Sequence, residues 1–416
     1  MEVDQEAINA LKRQLQLADL RTLQRRPWVP SERDEIIQVA KECLGVRDEW
    51  IPAIELKTDS VTSYGAVSIR KLSGVSWTRC FCAAHLYMPQ LTPPGPLPFV
   101  LLCCGHADGG KQAQGYRRLA WRLACQGCAV LVPDNIGQGE RSAMGHGDVV
   151  APFRCGVSLQ GMIVMETMGW LRWALADGGF DKRRIAAVGN SGGGTLNLFL
   201  GAFCRDELTA LSSSGYPSTF NFIAAKEKKH CHCNILPGIV GNLQMWQLYG
   251  CFAPKPLFLF QGCTDHLFPE DLFYEVSRRT ANVYDNAACA SAFRSTVFAG
   301  GHSWDDERRD SLAAFVTESF GLDSAQEPAG FPNEAPENCF PAWPAEALTT
   351  DELAVQITGT PALADDELCK VYLPGLQSSR NTKFRRVGFR QLAAQLQAFL
   401  SPEMRAFYEP DVRGGL

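Results

Sequence analysis

Apolar residues change their period several times along the chain, and the changes predict its elements. Over residues 6–25, Ile8, Leu11, Leu15, Leu17, Leu20 and Leu23 recur among Lys, Arg and Gln at helical spacing, and Pro27 and Pro30 end the run. Ser31, followed by Glu32, Asp34 and Glu35, supplies an N-cap and an acidic first turn for a second helix running to about Leu44. From 54 to 88 the period becomes two, and 54–57, 66–70 and 80–87 read as antiparallel edge strands between Gly, Ser and Thr turns. Residues 99–104 are almost wholly apolar, as a strand covered on both faces should be.

Strand and helix then alternate. Helices are expected over 116–126, 161–176 and 306–320, and strands over 129–133, 185–188, 256–260 and 293–298. This pattern predicts the α/β class: a doubly wound, mostly parallel sheet with helices on both faces. Residues 1–50 form an N-terminal helical extension to a unit spanning 51–322. Beyond it, 323–416 reads as a proline-rich linker and a small C-terminal appendage, with a short strand at 353–357, a helix at 389–399 and no assigned chemistry.

Composition narrows the function classes. Hydrophobic residues make up 46% of the 416, enough for a large core. The formal charge of -5, from 45 acidic and 40 basic residues, leaves no basic footprint for nucleic acid. The N-terminus is acidic and carries no apolar signal region, and no run of about 18 apolar residues follows, so a cytoplasmic chain with no membrane partner is expected. Of the sixteen cysteines, Cys103, Cys104, Cys125, Cys128 and Cys204 lie inside apolar periodic segments and read as buried thiols.

The chemistry centres on Gly189-Asn190-Ser191-Gly192-Gly193, a G-x-S-x-G motif between the strand at 185–188 and a helix that begins at once. There the glycines leave room for a strained turn that projects the Ser191 hydroxyl. A serine needs a base, itself held by an acid. In a doubly wound sheet both belong in loops after later strands. The strand at 256–260 runs into Asp265, and that at 293–298 into Gly300-Gly301-His302, giving the order Ser191, Asp265, His302. His266 is a weaker candidate for the base, and Asp305 and Asp306 are expected to cap the last helix. The developing oxyanion would meet the backbone N–H groups of Gly192 and His106, the latter in the loop after the strand at 99–104. That loop ends Gly110-Lys111-Gln112 and lacks the Gly-Lys-Ser/Thr of a phosphate cradle. Asp134 and Arg141 are expected to fix a neighbouring loop by hydrogen bonds and charge pairing. Segments 143–160 and 216–250 should shape the acyl and alcohol sites, with Trp246 and Tyr249 as candidate lining or core.

The cluster His230-Cys231-His232-Cys233 invites a zinc assignment. Ligands at four successive positions suit one tetrahedral site poorly, so a packed loop is expected and no metal or other cofactor is assigned; two of the four with a distant partner would be the alternative.

Together, the Gly105-His106 loop, 134–142, 189–194, Ala253-Pro254-Lys255-Pro256 leading to Asp265 and Phe268-Pro269, and Gly300-Gly301-His302 resemble the α/β-hydrolase superfamily, in its acetyl xylan esterase-like and dienelactone hydrolase-like branch. The resemblance covers roughly 50–320. It implies Ser191 as nucleophile, Asp265 as acid, His302 as base, oxyanion amides at His106 and Gly192, and a small-molecule or oligosaccharide ester, first of all an acetyl ester, as substrate. Dienelactone hydrolases proper use a cysteine nucleophile where this chain has Ser191. A serine peptidase or amidase, and a non-catalytic binding protein on the same fold, are the competing readings.

Overall fold

A computed structural model describes residues 32–90, 95–147, 149, 151–225, 231–240, 242–323 and 330–360. The expected helices at 6–25 and 389–399, the Ser31 cap and His230 lie outside the described residues.

Nine strands form one sheet: β1 (Glu55–Tyr64), β2 (Val67–Val75), β3 (Phe81–Pro89), β4 (Leu97–Cys103), β5 (Ala129–Pro133), β6 (Phe180–Asn190), β7 (Ala210–Ser214), β8 (Leu257–Gly262) and β9 (Phe293–Phe298). Among the described residues ten α-helices accompany them: α1 (Arg33–Leu44), α2 (Gln114–Cys125), α3 (Ala151–Arg154), α4 (Leu159–Ala176), α5 (Gly192–Phe203), α6 (Phe220–Ala225), α7 (Met245–Gly250), α8 (Glu270–Asn286), α9 (Asp306–Phe320) and α10 (Thr350–Thr358). The spatial order is β1-β2-β3-β5-β4-β6-β7-β8-β9. The pairs from β1 to β3 and β3 with β5 are antiparallel, and every pair from β5 to β9 is parallel.

Period-two alternation divides the core. Phe99, Leu101 and Cys103 of β4 face one side with Ile185 and Ala187 of β6, under α1, α4, α5 and α7. Val100 and Leu102 face the other side with Ala186 and Val188, under Leu119 and Trp121 of α2 and Leu312, Phe315 and Val316 of α9. The sheet is therefore covered on both faces, as the apolar runs require.

Two differences from the expected elements have physical reasons. Residues 353–357 are helical, within α10. Thr349 and Glu352 form a capping box at its start, and Leu353, Ala354 and Ile357 are buried while Val355 points out, a helical rather than an alternating pattern. Strand β7 escapes a hydrophobicity reading because it ends Ser212-Ser213-Ser214. Those hydroxyls are satisfied inside the fold, Ser212 by Phe258 O and Ser213 by Gly194 O and the Tyr249 hydroxyl.

Buried charge holds the loops beside the carboxyl ends of β4 and β5. Lys111 is inaccessible to solvent and pairs with Asp134 at 2.6 Å and with Glu140. Burial opposes its charge, and the two carboxylates more than restore it, so its ammonium is held above the usual lysine range. Arg141, equally buried, forms a two-pronged pair with Glu166 of α4 at 2.6 and 2.9 Å. Residues 330–348 lie across this region like a strap. Arg117 donates to Pro332 O at 2.7 Å, and Gln112 to Pro336 O at 2.8 Å. The amides of Cys339 and Phe340 donate to the Glu140 carboxylate at 3.2 and 3.0 Å, and Phe340 and Trp343 pack on Phe81. Beyond them, α10 docks on α3, where Asp351 accepts from the Ala151 amide at 2.9 Å.

Candidate active site

Ser191 is the single residue between the end of β6 and the start of α5, with φ 57° and ψ -120°. A side chain there costs about 1–3 kcal/mol and persists only where the surroundings impose it. Here they do. The Ser191 amide donates to Ser214 O of β7 at 2.9 Å, and its carbonyl accepts from the Thr195 amide at 3.0 Å. The turn is also too tight for side chains on either flank. A Cβ on Gly189 would lie 2.5 Å from Gly193 O, and one on Gly193 would lie 2.0 Å from Cys103 O.

The loops after β8 and β9 bring Asp265 and His302 together. His302 Nδ1 lies 2.7 Å from Asp265 Oδ2, and the Asp265 carboxylate is almost fully buried. A carboxylate only accepts, so Nδ1 carries the proton and Nε2 is left with the lone pair. Asp265 Oδ1 accepts from the Leu267 and Phe268 amides at 2.8 and 3.1 Å. Burial disfavours the Asp265 charge, but His302 and these two amides outweigh it and hold the carboxyl below its usual range. His266 packs edge-on to His302 with ring centroids 6.2 Å apart. Asp305 caps α9 by accepting from the Arg308 amide at 3.1 Å.

Ser191 and His302 open into one pocket of about 360 Å³, shared with His106, Tyr116, Asn190 and Trp304. The Gly105-His106 loop lies against the serine turn: a Cβ on Gly105 would be 2.9 Å from Ser191 Cβ, and one on Gly192 would be 3.2 Å from His106 Nδ1. The Gly105 amide is already used, donating to the Tyr116 hydroxyl at 2.7 Å. Gly192, at the N-terminus of α5, has an amide with no partner inside the helix and sits at the positive end of its dipole.

Three supporting residues were not anticipated from the sequence. Ser214 Oγ donates to Asn190 Oδ1 and accepts from Trp304 Nε1 at 2.8 Å, so the histidine loop is tied to the serine turn through β7. Trp304 also meets the Tyr116 ring edge-on. Arg308, buried on α9, gathers the carbonyls of Ala299, Gly301 and Ser303 around His302. Only the final-helix pattern pointed near them, and a buried arginine looks like a surface one in a sequence. Trp304→Phe keeps an aromatic ring, smaller than the indole, and removes the N–H that reaches Ser214. It is expected to cost about 1 kcal/mol of stability, read as a lowered denaturation midpoint at unchanged m-value.

No family model matches the chain. A relative from Bacillus subtilis, named "Putative hydrolase YtaP", is 22% identical over 238 residues, covering 53% of this chain and 77% of that one. Among solved structures, a methylesterase superposes with a TM-score of 0.62 at 18% identity, over 91% of this chain and 81% of its own. A Bacteroides fragilis protein described as a "putative acetyl xylan esterase" gives 0.55 at 15% identity, over 65% and 76%. A glucuronoyl esterase from Solibacter usitatus gives 0.54 at 12% identity, over 70% and 92%. The chain has the α/β-hydrolase fold.

Within this α/β-hydrolase fold the remaining sequence candidates have definite places. Asp134 and Arg141 make the buried pairs described above. Tyr249 is wholly buried with its hydroxyl on Ser213, and Trp246 is buried in the core on the same side of the sheet. The His-Cys cluster is split by folding. His232 turns away, its Nδ1 2.9 Å from Val149 O, while Cys231 and Cys233 turn toward His106 and His146. Among the described residues no helix is long and apolar enough to cross a membrane.

Proposed function

We propose that the chain is a serine hydrolase of carboxylic esters acting through Ser191, His302 and Asp265. The observation that carries this reading is that His302, held by Asp265 at 2.7 Å, opens with Ser191 into one pocket at the N-terminus of α5. His302 Nε2 takes the Ser191 proton as Oγ attacks the ester carbonyl, and Asp265 stabilises the imidazolium that forms. The amides of Gly192 and His106 receive the oxyanion. His302 then protonates the departing alcohol, and activates water against the acyl-enzyme in the second half of the cycle. The solved structures of similar fold are named as esterases, which favours ester over amide substrates.

A short acyl group, acetyl first, on a carbohydrate alcohol is the substrate class we infer. It rests on the resemblance of the loop motifs and on the acetyl xylan esterase description of one structural neighbour. The described cysteines are free thiols, which fits a reducing, cytoplasmic setting. The test is initial-rate hydrolysis of nitrophenyl esters from acetyl to octanoyl, beside acetylated xylo-oligosaccharides and an aminoacyl anilide. The expected result is rates falling with acyl length and acetate released from the oligosaccharides. Turnover of the anilide alone would replace this reading with a peptidase.

A further inference from the structure

We propose that His106, His146, Cys231 and Cys233 form a tetrahedral zinc site that fixes the loop carrying the His106 amide. The four residues come from three separate segments, after β4, after β5 and before α7. Their side-chain donor atoms nevertheless all lie within 4.8 Å of one another. His106 Nε2 is 3.1 Å from His146 Nε2 and 3.5 Å from Cys233 Sγ. A regular tetrahedron with Zn–N of about 2.05 Å and Zn–S of about 2.3 Å places its nitrogens about 3.3 Å apart and nitrogen from sulfur about 3.6 Å apart. The side chains therefore already stand near the separations that a zinc ion would impose.

The surroundings complete the case. His146 is buried, and its Nδ1 lies 2.7 Å from Ile136 O. A carbonyl only accepts, so Nδ1 holds the proton and Nε2 turns its lone pair toward the cluster, the tautomer seen in ligating histidines. The side-chain nitrogen of Gln138 lies 3.2 Å from that same Nε2, a contact that a bound cation displaces. The donors are two imidazoles and two thiols with no carboxylate among them, a set for zinc rather than magnesium or calcium. Two thiolates would cancel the charge of the dication, so no net charge is buried. Four protein ligands close the coordination sphere, which makes the site structural rather than hydrolytic.

Its position gives it a use. His106 would bind through Nε2, while its Nδ1 lies on the side of Gly192, so the ion would hold the ring beside the serine turn from behind. This is a form of the alternative the sequence leaves open, two of the four cluster residues with distant partners, and what the sequence does not show is that those partners lie at 106 and 146.

The inference does not depend on the esterase reading, because its readouts need no substrate. The full chain, purified under reducing conditions without chelator, is analysed for metals by mass spectrometry, then stripped and refilled with Co²⁺. The expected result is one zinc per chain, and in the cobalt form a thiolate-to-metal charge-transfer band with the visible bands of tetrahedral cobalt. Cys231→Ser/Cys233→Ser should lower bound metal at least tenfold, while Cys263→Ser, at an exposed cysteine outside the cluster, should keep it. If the double variant does not fold, the wild-type cobalt spectrum and the loss of metal in His146→Gln decide. Absence of stoichiometric zinc or cobalt in folded, thiol-reduced protein, metal retained by the double variant, or a Cys231–Cys233 disulfide in the native chain would overturn the proposal.

Discussion

Ser191→Ala is expected to lower kcat for ester hydrolysis by about 10⁴- to 10⁶-fold with little change in KM, because in the proposed mechanism removing the nucleophile abolishes the acyl-enzyme route and leaves only binding and the oxyanion site. The check is kcat and KM on nitrophenyl acetate for both proteins, with labelling by a serine-reactive phosphonate alongside. Covalent labelling of wild type at Ser191, lost in the variant, would locate the nucleophile. A variant with unchanged kcat would remove the serine mechanism altogether. The turn offers an independent reading of the same position. Since φ at Ser191 is 57°, Ser191→Gly should be as inactive as the alanine variant but more stable by about 1 kcal/mol. Thermal unfolding of the two inactive proteins separates lost chemistry from lost structure.

Lys111→Ala is expected to be the most destabilising of the single loop substitutions, at about 3–5 kcal/mol. It leaves Asp134 and Glu140 buried with no countercharge, and the small side chain cannot repay their desolvation. Urea unfolding should show a lower midpoint. Lys57→Ala is the comparison, because Lys57 is largely exposed beside Asp59 and should cost under about 1 kcal/mol. Linkage gives the sign with pH. The lysine is held above its usual range, so its contribution is complete below about pH 10.4 and is lost as pH rises through the raised value. In Lys111→Met, which fills the space without the charge, alkaline destabilisation should be weaker than in wild type. Equal stability of Lys111→Ala and wild type at neutral pH would mean that the pairing carries no net weight.

Much of the fold and of the candidate site was legible in the sequence because both depend on short-range signals. Alternating apolar residues marked β2 and β3, continuous ones marked β4 and β6, and the glycines about Ser191 marked a turn that only glycine can flank. Asp265 and His302 stand out in the sequence by their place after successive strands, and the fold brings the two side chains within 2.7 Å. What stayed hidden depends on pairs distant in sequence. Nothing local tells that Trp304 reaches Ser214, that Arg308 serves the carbonyls about His302, or that Cys231 and Cys233 face His106 and His146. Residues 353–357 misled for the opposite reason: Leu353, Val355 and Ile357 alternate on paper, and the Thr349–Glu352 box with burial of Ala354 overrides them.

The strap over residues 330–348 bears on how this molecule can be shortened or joined to another. Its backbone amides at Cys339 and Phe340 complete the hydrogen bonding of Glu140, the same carboxylate that neutralises Lys111. A polypeptide ended at residue 322 would keep every strand of the sheet and each of Ser191, Asp265 and His302. It would nonetheless expose Phe81 and open the Lys111 pair to water, so a shortened chain or a fusion should keep everything through α10.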